Sequence, residues 1–323
     1  MLVVEVLAWV AVAAMIVLLV TQVVGWSRNK YVVTLQAATP YLLALSLPIA
    51  VVAIVGGRWA LGALAAIALV AFVVLAWRLR FPPQQRSAPA GAQPLRVFHG
   101  NLLYYNARTA DVARSLAALD VDVLAFTEYT QAHAGGFYVA PFADRFPYRI
   151  EQPEPKAGGS AIWSRFPLTQ VAAPPALYLS TAAVVAAPDP VTLYVAHPPN
   201  PLVDLDDWLS ELAGLAALAA EAPPPTIVVG DLNATYWHPP FRRLLAAGWR
   251  DAHQVAGRGF SCSWPADWSW LPPFLRLDHA LVDRSLVVTG VDDVDLAGSD
   301  HHGLVVSAAV NRSAQGAPAA RSR

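Results

Sequence analysis

The sequence predicts an α/β protein: a sheet-containing α/β sandwich preceded by an all-α anchor of three transmembrane helices. Three observations carry that expectation. The chain of 323 residues is 56% hydrophobic and 14% charged, against about 45–50% and about 25% for an ordinary soluble domain. The apolar surplus is gathered into three runs before residue 80. From Leu95 onward, short apolar stretches alternate with amphipathic helical patterns, which argues for layers of sheet and helix rather than a bundle. The charge deficit excludes a disordered chain and an ordinary all-soluble one.

The anchor is read as residues 1–80, with spans at about 2–24, 35–55 and 59–77. Each run has about the 20 residues that an α-helix needs to cross roughly 30 Å of hydrocarbon. Pro40 and Pro48 in the second are tolerated where neighbouring helices satisfy the freed carbonyls. Trp26, Tyr31, Trp59 and Trp77 stand at run edges, where amphipathic rings settle at the membrane interface. A cleaved signal peptide is excluded, because the first run is too long, lacks a basic leader and is followed by two more. These residues hold five Lys/Arg against one acid, Glu5, whereas the rest of the chain holds 17 basic and 22 acidic residues.

Residues 81–94 (FPPQQRSAPAGAQP) have no periodicity and read as a Pro/Ala-rich linker. The body is expected at 95–310, long enough for one large domain, and 311–323 as a polar, disordered tail. The single cysteine, Cys262, excludes an internal disulfide. Within the body, strands are expected at 95–101, 122–128, 160–164, 192–197, 226–231, 277–282 and 303–310. Helices are expected at 110–119, 202–220 and 240–247.

Polar residues fall at the ends of those strands. Asn101, Glu128, His197, Asp231 and Asp278 each sit at or beside a strand terminus, and Ser299-Asp300-His301-His302 precedes the last strand. Any one of them alone is most simply a turn residue or cap. Five of them with a terminal cluster suggest a site assembled from distant sequence. In Gly230-Asp231-Leu232-Asn233 the glycine permits a tight strand exit, and Asp231 and Asn233, two apart, share a side. A carboxylate beside a carboxamide suits hydrolysis, one orienting water and the other binding a phosphate oxygen. His301 beside Asp300 can serve as base or stabilise charge, and Asp278 can orient its ring from a neighbouring strand. His279 and His302 read as flanking residues.

Taken in order, these motifs resemble the endonuclease/exonuclease/phosphatase superfamily of metal-dependent phosphoesterases. The likeness runs from Leu95 to about Val310. It comprises Arg96 to Asn101, 122–128, Gly159 to Arg165, the strand ending in His197, Gly230 to Asn233, Leu277 to His279, and Ser299 to His301. The resemblance implies a four-layer α/β sandwich of deoxyribonuclease-I type with its site at one end of two packed sheets. It implies Glu128 as the principal ligand of a Mg²⁺ (or Mn²⁺), with Asn101 and Asp300 nearby, a hard-oxygen set suited to that ion. Asp231 would orient or deprotonate the attacking water, and Asn233 would hold the phosphate. His301, paired with Asp278, would act as base or stabilise the transition state, and His197 would face the leaving group. Which residue is the general base stays open. Asn106 is a further, weaker candidate.

The expected activity is hydrolysis of a phosphate ester or pyrophosphate, and the expected partners are a lipid-linked phosphate or pyrophosphate substrate and membrane lipid. Nucleic acid is the alternative substrate. The acidic body has no basic stripe beyond Arg242-Arg243, which counts against duplex binding. An anchored enzyme meets membrane substrate at high effective concentration. The segment 263–274 (SWPADWSWLPPF) is either core or an apolar rim beside the site. Three helices followed by such a domain are also similar to the membrane-anchored glycopeptide (teicoplanin) resistance proteins of bacteria, for which the resemblance implies a polyprenyl pyrophosphate substrate. The chain is thus expected in the cell membrane as a multi-pass protein. That similarity argues for an extracytoplasmic body, whereas the positive-inside count, five against one, argues for a cytoplasmic one. A pseudo-enzyme would lack site residues, and none is missing.

Overall fold

The computed structural model describes residues 2–81, 85, 87–139, 141–178 and 180–311. The expected tail lies outside the described residues beyond Asn311, as do 82–84 and 86 of the expected linker.

The first apolar run is one helix, α1 (Leu2–Val24), and the third is α5 (Trp59–Arg80); each is long and apolar enough to cross a membrane. The second run is long and apolar enough to form one span as a pair, but it is not one continuous helix. It is three helices, α2 (Lys30–Ala37), α3 (Thr39–Ala44) and α4 (Ser46–Val55), bent by 60° at the α2–α3 break. It starts at Lys30 because Asn29 caps α2, accepting from Tyr31 N and Val32 N. It breaks before Pro40, which lacks an N–H and disfavours helix at the residue before it. The bend is held by buried amides. Gln22 donates to Thr39 Oγ1 at 2.7 Å, and Gln36 donates to Trp26 O at 2.9 Å and accepts from Ser27 Oγ. At the far end of the bundle, Arg58 pairs with Glu5 at 3.0 Å.

The body is a four-layer α/β sandwich. One sheet has the order β11-β12-β1-β2-β4-β3, from β1 (Leu95–Asn101), β2 (Val123–Thr127), β3 (Tyr148–Gln152), β4 (Ser160–Ser164), β11 (Leu286–Val294) and β12 (Gly303–Val310). The other has the order β5-β6-β7-β8-β10-β9, from β5 (Leu168–Gln170), β6 (Ala182–Val185), β7 (Val191–Ala196), β8 (Thr226–Asp231), β9 (Arg250–Asp251) and β10 (Asp278–Val282). Alternation along each strand sorts the side chains. Val97, Ala125, Val195, Val229 and Ala280 fill the space between the sheets. Phe98, Phe126 and Trp163 point outward beneath α6 (Thr109–Ala118), α7 (Gln131–Phe137) and α8 (Phe142–Arg145). On the other face Tyr194, Val228 and Leu281 meet Trp208, Leu212 and Leu215 of α9 (Leu205–Glu221) and Phe241 and Leu244 of α10 (Pro239–Ala247).

The N-terminal helices pack directly on this body. Val33 of α2 joins the α9–α10 core. The Arg242 guanidinium, largely buried, donates to Gln22 Oε1 at 2.8 Å and to Gln22 O at 3.0 Å. The ring of Trp237 stacks on Phe72, and Tyr236 donates to Leu75 O. The linker, expected to be free, is tied to the edge strand β11. The Gln85 side chain donates to Val288 O and accepts from Val288 N, beside the bulge between Val288 and Gly290.

Candidate active site

Strand register gathers the polar strand ends at one rim. β1 and β2 run parallel with Asn101 opposite Thr127, so Glu128 follows as β2 ends. Glu128 has φ +55°, a left-handed conformation that costs an L-residue roughly 1–2 kcal/mol. Hydrogen bonds hold it there: Tyr104 N donates to Oε2 at 2.8 Å and Asn101 Nδ2 donates to Oε1 at 3.2 Å. The same amide donates to Asp231 Oδ2 at 3.0 Å, while Asn101 Oδ1 accepts from Leu103 N. Asn101 therefore bridges the two acids, one from each sheet.

In the second sheet, β10 pairs antiparallel with β8 and sets Asp278 opposite Asp231. Gly230 is required by the approach of β7, since a Cβ there would lie 1.8 Å from Ala196 O. Asp231 Oδ1 accepts from Asn233 N at 2.9 Å, and Asn233, itself at φ +47°, donates to Pro198 O at 3.0 Å.

Asp278 is fully buried and lies between two histidines: Oδ2 is 2.8 Å from His301 Nδ1 and Oδ1 is 3.2 Å from His99 Nε2. Burial alone raises the pKa of Asp278, but the imidazoles, His301 foremost, hold its carboxyl well below the usual range. Burial opposes charge on His301, yet the carboxylates of Asp278 and Asp231 outweigh it and push the ring up to about 10. His301 Nε2 stands 3.7 Å from Asp231 Oδ2 and 3.9 Å from Asp300 Oδ1. His197 Nε2 approaches Asp231 Oδ2 to 3.8 Å, and its Nδ1 is buried with no partner among the described residues. Asp300 Oδ2 accepts from Trp264 Nε1 at 3.0 Å.

Glu128, His197, Asp231, Asn233, Asp300 and His301 line one cavity of about 510 Å³. Asn101 and Asp278 stand behind it, each hydrogen-bonded to a lining residue. His279 and His302 face elsewhere, His279 bonding Asp251 and Ala234 O, and His302 pairing with Asp295. Asn106 ties the loop before β12 by donating to Ala297 O. Two contributors were not anticipated. His99 shares the face of Asn101, two residues away, and that i, i+2 parity was its signal in the sequence. The other is the opposite cavity wall, formed by Thr34, Ala38 and Tyr41 of the N-terminal helices. The segment 263–274 divides: Trp264 reaches the site, while Trp268 and Trp270 stack on each other, 41% and 76% exposed.

The residues fit a divalent cation. Glu128, Asp231 and Asp300 supply hard oxygens, and Asp300 Oδ1 is buried without a hydrogen-bond partner among the described residues. Ligand atoms of Asp231, Asp278 and His301 lie within 4.8 Å of one another. Asp278, with both oxygens given to histidines, is the least free of these.

A sequence profile described as Endonuclease/Exonuclease/phosphatase family matches residues 95–301. Solved structures share the fold. A 3' phosphatase, NExo, from Neisseria, bound to product DNA hairpin, is 17% identical with a TM-score of 0.53, over 66% of this chain and 98% of that one. TDP2 of D. rerio, complexed with single strand DNA product, is 17% identical at TM-score 0.54, over 67% and 98%. An AP endonuclease from Archaeoglobus fulgidus is 14% identical at 0.54, over 66% and 98%. No curated relative matches the sequence.

Proposed function

Because this chain belongs to the Endonuclease/Exonuclease/phosphatase family, we propose that it is a membrane-anchored, divalent-metal-dependent phosphoesterase whose substrate carries its phosphate or pyrophosphate on a lipid. The observation that supports this reading is the shared wall. The cavity holding Asp231 and His301 is bounded on one side by α2 and α3, part of a bent helix pair apolar enough to form a span. A substrate seated there has its phosphate at the strand ends and its remainder against those helices. Among the described residues, no lysine or arginine lines the cavity, whereas nucleic-acid binding rests chiefly on such phosphate contacts. The wall lies outside the residues that the family profile matches.

Glu128 and Asp300, braced by Asn101, would hold Mg²⁺ (or Mn²⁺). The bound ion would neutralise charge developing on the phosphoryl oxygens, worth several kcal/mol. Asp231 orients the attacking water and is placed to take its proton. Asn233 keeps one amide hydrogen on Pro198 O and has a second for a phosphate oxygen. Asp278 holds the ring of His301 through Nδ1 and favours its protonated form, so that an Nε2–H faces the cavity. His197, on the other side of Asp231, faces the phosphate or leaving group.

By architecture the substrate is of the polyprenyl pyrophosphate type, as in the glycopeptide-resistance proteins, and the body stands on the outer face. The reading of the side runs against the charges: Arg28, Lys30, Arg78 and Arg80 lie at the body end of the helices. A C-terminal alkaline phosphatase fusion tests it, and an inactive fusion overturns it. The activity is tested with the purified full chain and Mg²⁺ against polyprenyl pyrophosphate, a phosphodiester lipid and plasmid DNA, with Glu128→Ala and His301→Ala as controls. Release of phosphate from the lipid, lost in both variants, is expected. Plasmid nicking that both variants abolish, without lipid turnover, would make the chain a nuclease instead.

A further inference from the structure

Resting on the lipid-borne reading, we propose that α2 and α3 form a slot for the substrate's tail, in which one hydrocarbon chain lies along Thr34, Ala38 and Tyr41 and the small side chain of Ala38 sets the width. Thr34 lies before, Ala38 at and Tyr41 after the break between α2 and α3, and all three line one cavity. They line the same cavity as the catalytic acids, opposite Phe274 and Leu275. The cavity therefore runs unbroken from a polar end to an apolar one. Its volume of about 510 Å³ falls within the range of pockets that enclose a whole small ligand, roughly 300–1,000 Å³, well beyond what a phosphate group fills.

Membrane-type surface adjoins the slot. Leu35 and Leu45, on either side of the bend, are 49% and 53% exposed. Thr34 adds little polarity, because its hydroxyl donates to Lys30 O within the helix. Tyr41 closes the outer end against the body, donating to Phe274 O at 2.5 Å and meeting its ring edge-on. The wall is also rigid. His238 Nε2 bonds Val33 O at 2.9 Å, Arg242 grips Gln22, and the Gln22–Thr39 bond fixes the bend from behind. A small residue at Ala38 suits a single slim chain lying along the wall, and a pair of acyl chains side by side is the alternative that the substrates below separate.

The test uses the full chain in detergent, with a one-isoprene and a long polyprenyl pyrophosphate and a diacyl glycerol pyrophosphate as substrates. In Ala38→Phe the preference in kcat/KM for the long over the short prenyl substrate is expected to fall about tenfold or more, a single apolar contact being worth that much. A photoactivatable diazirine in the first isoprene unit of the long substrate is expected to label residues 33–41. An unchanged preference in Ala38→Phe, labelling confined to the body, or diacyl turnover equal to prenyl turnover would each overturn the slot while leaving the lipid phosphoesterase standing. Failure of the unmodified chain to cleave any of the three would overturn both.

Discussion

His99 and Asp278 meet at 3.2 Å across the interior of the sandwich, one from each sheet and 179 positions apart in the chain. The contact leaves Asp278 no freedom, since His301 takes its other oxygen at 2.8 Å. Asp278→Asn would keep the shape and remove the charge that keeps His301 protonated and oriented. We expect kcat to fall about 10²–10⁴-fold, the usual worth of a positioned acid–base group. His99→Gln is expected to cost about 10–100-fold, as for other groups that orient a functional side chain. Steady-state kinetics beside thermal melts check both, and loss that tracks melting temperature alone would reduce His99 to a packing residue.

Glu128 is held at φ +55° by its hydrogen bonds and not by its own preference. Asparagine tolerates that region better. Glu128→Asn is therefore expected to raise the melting temperature of the body by about 2–4 °C while abolishing activity and weakening the dependence on Mg²⁺. Calorimetry with and without chelator measures it, and a lower melting point would show that the carboxylate's bonds outweigh the backbone strain.

Gly230→Ala would drive a methyl group into the carbonyl of Ala196, 1.8 Å away. Both atoms are backbone-fixed at the last pair of the β7–β8 ladder, between two strands in the middle of their sheet, which limits how far either can yield. Destabilisation of about 3 kcal/mol or more is expected. Denaturant unfolding would read it, and a cost below about 1 kcal/mol would mean that β7 and β8 can part at this rim.

His238 provides a pH dependence at the junction between helices and body. Burial lowers its pKa to about 4, with Arg242 and His279 adding to the effect and the bond to Val33 O opposing it. The folded state thus favours the neutral ring. The stability it contributes is complete above the ordinary value near 6.5 and is withdrawn as pH falls towards 4, by up to about 3 kcal/mol. Hydrogen-exchange protection factors of residues 30–41, corrected for the intrinsic rate at each pH, are expected to fall between pH 7 and pH 5. His238→Gln should flatten that change, and an unflattened response would place the sensitive group elsewhere.

Much of the body could be read from residue pattern. The pattern in 95–101, 160–164, 226–231 and 303–310 gives strands with the same limits in the structure, because each is a short, mostly apolar stretch with a polar residue or glycine at one or both ends. β3, β5, β6, β9 and β11 escaped notice: Tyr148–Gln152 is half-exposed and polar, Leu168–Gln170, Ala182–Val185 and Arg250–Asp251 are too short to show a period, and Leu286–Val294 is interrupted by a bulge and by Asp292 and Asp293. Site residues at strand ends were legible because function requires polar side chains where the pattern expects none. His99 was hidden because it sits inside a strand. The bend in the second run was signalled by Pro40, but membrane length alone favoured a straight helix. That Thr34, Ala38 and Tyr41 wall the cavity depends on docking between distant segments, which no local period encodes.

The contact of Trp237 with Leu79 and Ala76, and of Val33 with the α9–α10 core, bears on how the protein is made. The N-terminal helices leave the ribosome first, so the body condenses onto a helical surface that is already made. Synthesis without that surface would leave Trp237, Phe241 and the cavity's open side facing water. Docking against these helices is thus a step in completing the cavity and not only an attachment beside it.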